Sequence, residues 1–176
     1  MSLSVAFQMD PIESIDINAD SSFRLAEEAQ ARGHSLFYYT PDKLALVDGR
    51  IVARGCSLHV QRDQGNHAVL GAEAQVDLSG MDVLWLRQDP PFDMGYITTT
   101  HLLDRIHPQT LVVNDPFWVR NYPEKLLVLD FPDLTPPTTI ARDLGFLRAF
   151  REEHGDIILK PLYGNGGAGV FRLRPD

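Results

Sequence analysis

Residues Ser4–Thr40, SVAFQMDPIESIDINADSSFRLAEEAQARGHSLFYYT, decide the fold class. SVAFQM is a short apolar run without breakers, as expected of a strand buried on both faces of a parallel sheet, and Asp10-Pro11 ends it. Ser21 or Asp20 caps a helix that runs to about Arg32, with Phe23, Leu25, Ala26 and Ala29 on its apolar side and Gly33 as its stop. SLFYYT is a second strand. A helix between two apolar strands predicts an α/β fold built on a parallel sheet.

Working outward, the stretch from Ala45 to Arg62 alternates apolar and polar positions around Asp48-Gly49, a hairpin signal that predicts a small antiparallel insertion. Residues 63–80 are polar and weakly patterned, and are expected to be loop. MDVLWLR resumes a strand ending at Arg87, and the prolines of QDPPFDMG force a loop. A helix over 94–106 and a strand TLVVN follow. After Asn121-Tyr122-Pro123 the pattern predicts a helix containing Glu124, Lys125 and Leu126, a turn at LTPPT, a strand at Thr138–Ala141 and a helix capped by Asp143 that reaches His154. DIILKP, a glycine-rich loop and VFRLR close the chain. These features divide it into residues 1–122 and 123–176. The second piece is too small to bury a core unaided, so the chain is expected to be the truncated front of a longer protein.

The 176 residues carry 24 acidic and 16 basic side chains, a net charge of −8, and 16 of the acids lie before Pro123. An acidic balance gives no basic surface for a polyanion, which argues against nucleic acid. The single cysteine, Cys56, can form no internal disulfide or cysteine metal cluster and fits a reducing compartment. No apolar run is long enough for a membrane helix, so a cytoplasmic location is expected. The six histidines have no ligand-like spacing. Trp85 and Trp118 read as packing residues, and Cys56 as a small buried hydrophobe.

Four features could carry chemistry. Gly164, Gly166 and Gly167 belong to a loop that would let backbone N–H groups approach a phosphate, or that is simply a flexible hairpin. Lys160 ends the run IIL, where its ammonium could neutralise phosphate or extend past the strand end into water. Lys125, at a helix start, reads by itself as a solvated residue paired with Glu124. Arg87 and Asp89 lie in a loop that follows a strand, where open α/β sheets place ligands: Arg87 offers a planar fork for a carboxylate, or pairs with Asp89 as a local salt bridge. Asp10-Pro11 and Asn114 end strands on the same edge.

Four blocks together resemble one family. MDPIESIDINADSSF (9–23), LRQDPPFD (86–93), VVNDPFWVRNYPEKL (112–126) and DIILKPLYGNGGAGVFR (156–172) are similar, in order, to the amino-terminal part of bacterial glutathione synthetase, an ATP-grasp ligase. The resemblance implies a Rossmann-like pre-ATP-grasp domain over 1–122 and the incomplete start of an ATP-grasp domain over 123–176. It implies an ATP-dependent carboxylate–amine ligase joining γ-glutamylcysteine to glycine through an acyl phosphate, in a homo-oligomer, commonly a tetramer. It assigns Lys125, Lys160, Gly164, Gly166 and Gly167 to ATP, and Arg87 and Asp89 to the dipeptide. Mg2+ ligands are expected beyond residue 176, so the chain alone is expected to be inactive, with no catalytic residue assigned within it. Tyr163 and Asn165 stand where relatives often carry Asp and Met. Another ATP-grasp ligase, which the RQDPPFD block disfavours, and a noncatalytic oligomerisation or binding fragment are the alternatives.

Overall fold

In the computed structural model, residues 1–164 and 166–175 are described, so Asn165 lies outside the described residues. The chain forms two units, Met1–Asn121 and Tyr122–Asp176. The first runs β1 (Ser4–Met9), α1 (Ser21–Ala31), β2 (Ser35–Tyr39), β3 (Leu44–Val47), β4 (Arg50–Val60), β5 (Ala68–Asp77), β6 (Val83–Arg87), α2 (Met94–Asp104), β7 (Leu111–Val113) and α3 (Pro116–Asn121).

β1 is central, parallel to β2 on one side and to β6 on the other, with β7 parallel beyond β6. Its predominantly apolar run, broken only by Ser4 and Gln8, follows from being covered on both faces. Val5, Phe7 and Met9 pack with Phe23, Ala26 and Ala29 of α1, while Ala6 faces the opposite core with Leu84, Leu103 and Ile106. The side chain of Asp20 accepts a hydrogen bond from the Phe23 backbone N–H at 2.7 Å, which makes Asp20 the cap of α1. The helix yields at Gly33, where φ is +79°.

The antiparallel insertion is larger than a hairpin. β3 and β4 turn at Asp48 (φ +48°) and Gly49 (φ +79°), but β4 also pairs antiparallel with β2 and with β5. Residues 68–77, expected to be loop, are therefore the strand β5. Most of its residues are exposed, so no buried face imposes alternation, and its ladder with β4 holds it. Helix α3 also escapes the pattern, although Asp115 caps it by accepting the Phe117 N–H at 2.9 Å and Pro116 opens it.

The second unit holds 3₁₀ turns at Leu127–Asp130 and Pro132–Leu134, helix α4 (Leu144–His154) and the antiparallel pair β8 (Ile157–Leu159) and β9 (Phe171–Leu173). Asp143 caps α4 through its bond from the Gly145 N–H at 2.7 Å. Two expectations fail here. Glu124, Lys125 and Leu126 form a turn, in which the N–H groups of Leu126 and Leu127 share the Pro123 carbonyl. Thr138–Ala141 forms no strand: it pairs with no other strand among the described residues, and Ile140 is exposed.

Candidate functional site

In the first unit the register sets Met9 beside Arg87, so the β1 and β6 ends share one sheet edge with the start of α1. The Arg87 guanidinium donates to the Ser22 hydroxyl at 3.0 Å and to the Ser21 hydroxyl at 2.6 Å. The Asp89 backbone N–H donates to the Asp10 carboxylate at 2.6 Å, tying the DPPFD loop to the end of β1. Arg87 is thus anchored by serines rather than paired with Asp89 as a local salt bridge. Asn114 follows β7 on this edge, and no hydrogen bond joins it to Arg87 among the described residues.

Burial raises the Asp89 carboxyl above the ordinary carboxylate range, repulsion from Asp10 and Asp20 adds to this, and Arg87 offsets part of it. Tyr96, whose ring lies 4.9 Å from that of Phe92, is raised chiefly by burial. An arginine fork beside three carboxylates offers complementary charges to a zwitterion bearing both carboxylate and ammonium groups. Ser21 and Ser22 were invisible as site residues because their positions read fully as the first turn of a capped helix.

In the second unit, Lys125, Lys160, Gly164, Gly166 and Gly167 all line one cavity of about 230 Å³. Lys125 lies in the turn before the first 3₁₀ segment, its side chain only 16% exposed. Its ammonium donates to the Gly164 carbonyl and stands 3.9 Å from Glu124. The expected pairing with Glu124 is therefore secondary to a bond with the loop. Lys160 is exposed, and it follows a strand that is not fully buried, since Ile158 is 57% exposed. Gly166 and Gly167 have φ of +59° and +78°, a left-handed pair that L side chains resist and that leaves the loop backbone without Cβ atoms at the cavity. Two cations and such a loop around one cavity can hold phosphate oxygens.

A wider groove of about 430 Å³ beside α1 coincides with none of these residues. Glu27 there is bound by Arg24 and Arg62, so its charges satisfy one another. Trp85 packs on the core and stacks with Phe7, whereas Trp118 is half exposed. Cys56 is half-buried rather than buried. No helix among the described residues is long and apolar enough to cross a membrane.

The family model described as "Prokaryotic glutathione synthetase, N-terminal domain" matches residues 3–120, and "Prokaryotic glutathione synthetase, ATP-grasp domain" matches residues 124–176. A glutathione synthetase of Mesorhizobium japonicum is 60% identical over 173 residues, covering 98% of this chain and 55% of the relative. That of Rhodopseudomonas palustris is 58% identical over 175 residues (99% and 56%), and that of Yersinia pestis 43% over 175 residues (99% and 55%). The chain spans about half the length of the curated relatives it matches. With both family models matched in succession and whole-chain similarity at these identities, the chain belongs to the prokaryotic glutathione synthetase family.

Proposed function

We propose that this chain carries the dipeptide-gripping and phosphate-gripping parts of a glutathione synthetase, which uses ATP to join γ-glutamylcysteine to glycine through an acyl phosphate. The observation that carries this reading is the common cavity of Lys125, Lys160, Gly164, Gly166 and Gly167, which matches the nucleotide role that family membership suggests for them. Residues 1–122 act as the pre-ATP-grasp domain and 123–176 as the first part of the ATP-grasp domain. In the first, Arg87 takes a carboxylate of the dipeptide, and the Asp89 carboxylate, with Asp10 and Asp20 nearby, attracts its ammonium. Lys125 and Lys160 neutralise the nucleotide phosphates, and the loop N–H groups bind their oxygens.

Magnesium use follows from the family, and among the described residues no group of three or more His, Cys, Asp or Glu side chains is placed to hold a metal. A cytoplasmic homo-oligomer, a tetramer as in the resemblance, completes the reading, and the lone Cys56 is compatible with that compartment. The test is separate calorimetric titration of the chain with γ-glutamylcysteine and with ATP. Binding of the dipeptide that Arg87→Ala weakens, and of ATP that Lys125→Ala weakens, is expected. Dipeptide affinity unmoved by Arg87→Ala removes Arg87 from that site.

A further inference from the structure

Gln8 lies on the central strand β1 at 0% exposure, between Val5, Ala6 and Phe7 on one side and Met9 on the other, all apolar and buried. An amide in such a place costs stability unless its donor and acceptor are both bonded, and an apolar residue would pack there without that cost. Both bonds are present. Gln8 Oε1 accepts from the Tyr39 hydroxyl at 3.0 Å, and Gln8 Nε2 donates to Gln88 Oε1 at 2.8 Å.

This relay has a direction. Tyr39 is 1% exposed, and burial holds its phenol well above the ordinary range, so it keeps its proton and acts as the donor. In the structure Gln8 turns its oxygen to Tyr39 and its nitrogen to Gln88, which turns the Gln88 oxygen inward. Reversing one amide alone would set donor against donor or acceptor against acceptor between Gln8 and Gln88. What remains is Gln88 Nε2, a donor without a hydrogen-bond partner among the described residues. It belongs to the residue between Arg87 and Asp89, in the loop that Asp10 ties to β1.

We propose that Gln88 orients the substrate by presenting its side-chain amide N–H to a carboxylate or amide oxygen of the dipeptide, and that Gln8 and Tyr39 are the positioning residues that fix it. The inference rests on the strand edge of Arg87 and Asp89 being the γ-glutamylcysteine site, and it adds a specificity contact beside Arg87. A buried glutamine at position 8 then has a reason: it sets the orientation of a neighbour at the ligand edge.

The test titrates γ-glutamylcysteine into the wild-type chain, Gln88→Glu, Gln88→Met and Gln8→Met, with circular dichroism checking the fold of each. Gln88→Glu retains an acceptor for Gln8 but has no donor, so about tenfold weaker dipeptide binding with unchanged ATP binding is expected. Gln88→Met should lose a similar factor without the added charge. Gln8→Met should weaken binding by a smaller factor although Gln88 is intact, because the amide is free to turn. In the wild type, the Gln88 side-chain NH₂ resonance should shift on dipeptide addition. If the wild type and Arg87→Ala show the expected dipeptide response but Gln88→Glu and Gln88→Met bind like wild type, the inference falls and the strand-edge reading stands. If the wild-type chain does not bind the dipeptide, both fall.

Discussion

Lys125 donates a hydrogen bond to the carbonyl of Gly164, 39 residues away in sequence. The contact brings a mostly buried ammonium to the first glycine of the loop, so that cation and loop are held together at one cavity. Lys160 lines the same cavity from the exposed end of β8. The two lysines should therefore fail differently. Lys125→Ala and Lys160→Ala are each expected to weaken ATP binding by about ten- to a hundredfold, the range for a charge-assisted bond to phosphate. Only Lys125→Ala should also speed amide exchange in residues 161–170. Nucleotide titration and hydrogen-exchange mass spectrometry check the pair, and equal exchange in both variants would deny Lys125 its hold on the loop.

Arg87→Lys keeps the charge but cannot span the two hydroxyls of Ser21 and Ser22, which Arg87 reaches through Nη2 and Nε. The ammonium would sit on one serine or on neither, and the fork that accepts a carboxylate would be lost. Dipeptide binding should fall about tenfold, with ATP binding unchanged. Separate titrations distinguish the two, and a nucleotide defect with normal dipeptide binding would move Arg87 out of this role.

Much of this frame was legible because local signals and tertiary demands agree. The run Ser4–Met9 is apolar apart from Ser4 and Gln8 since two cores cover it, and Asp48-Gly49 adopts the positive φ angles its turn requires. Legibility ends where the environment, rather than the residue, decides. β5 is an exposed edge strand held by its ladder, so its side chains carry no period. Thr138–Ala141 has strand-like residues and no strand beside it. The family blocks pointed to Arg87 and Asp89, but the partnership of Gln8, Tyr39 and Gln88 joins residues far apart in sequence and could be found only from coordinates.

Asp89 should make stability depend on pH in an uncommon direction. Its folded carboxyl lies above its ordinary value of 3.8, first through burial and then through Asp10 and Asp20. The folded chain therefore holds this proton more tightly than the unfolded one. Stability falls as pH rises from the unfolded value through the raised folded value, and the loss persists above it. Asp89→Asn removes the penalty. It should melt at a higher temperature than wild type near neutral pH, and the advantage should vanish under acid conditions where both side chains are uncharged. If Asp89 attracts a ligand ammonium, the same variant should bind the dipeptide more weakly. Melting curves from acid to neutral pH test the first part, and a variant less stable than wild type at neutral pH would contradict it.

Gly55 is the sharpest steric constraint in the β2–β4 ladder. A Cβ built there would lie 2.2 Å from the Tyr38 carbonyl oxygen, 2.8 Å from Cζ of Phe37 and 2.9 Å from Cβ of Tyr39. The nearest atom is backbone and cannot swing aside, because Tyr38 is paired with Cys56 in the antiparallel register. Phe37 and Tyr39 belong to the buried core, so yielding at either end would disturb packing. Gly55→Ala is expected to destabilise the chain by about 3 kcal/mol, the upper end for overpacking a well-filled interior, and to lower its melting temperature on the order of 10 °C. Gly33→Ala is the comparison: it has open space and a φ of +79°, so it should cost only the roughly 1–2 kcal/mol of a left-handed alanine. Thermal unfolding of both variants decides the matter. A Gly55→Ala chain that melts with wild type would mean that β4 can draw away from β2 at little cost, and the tight pairing assigned to this ladder would be wrong.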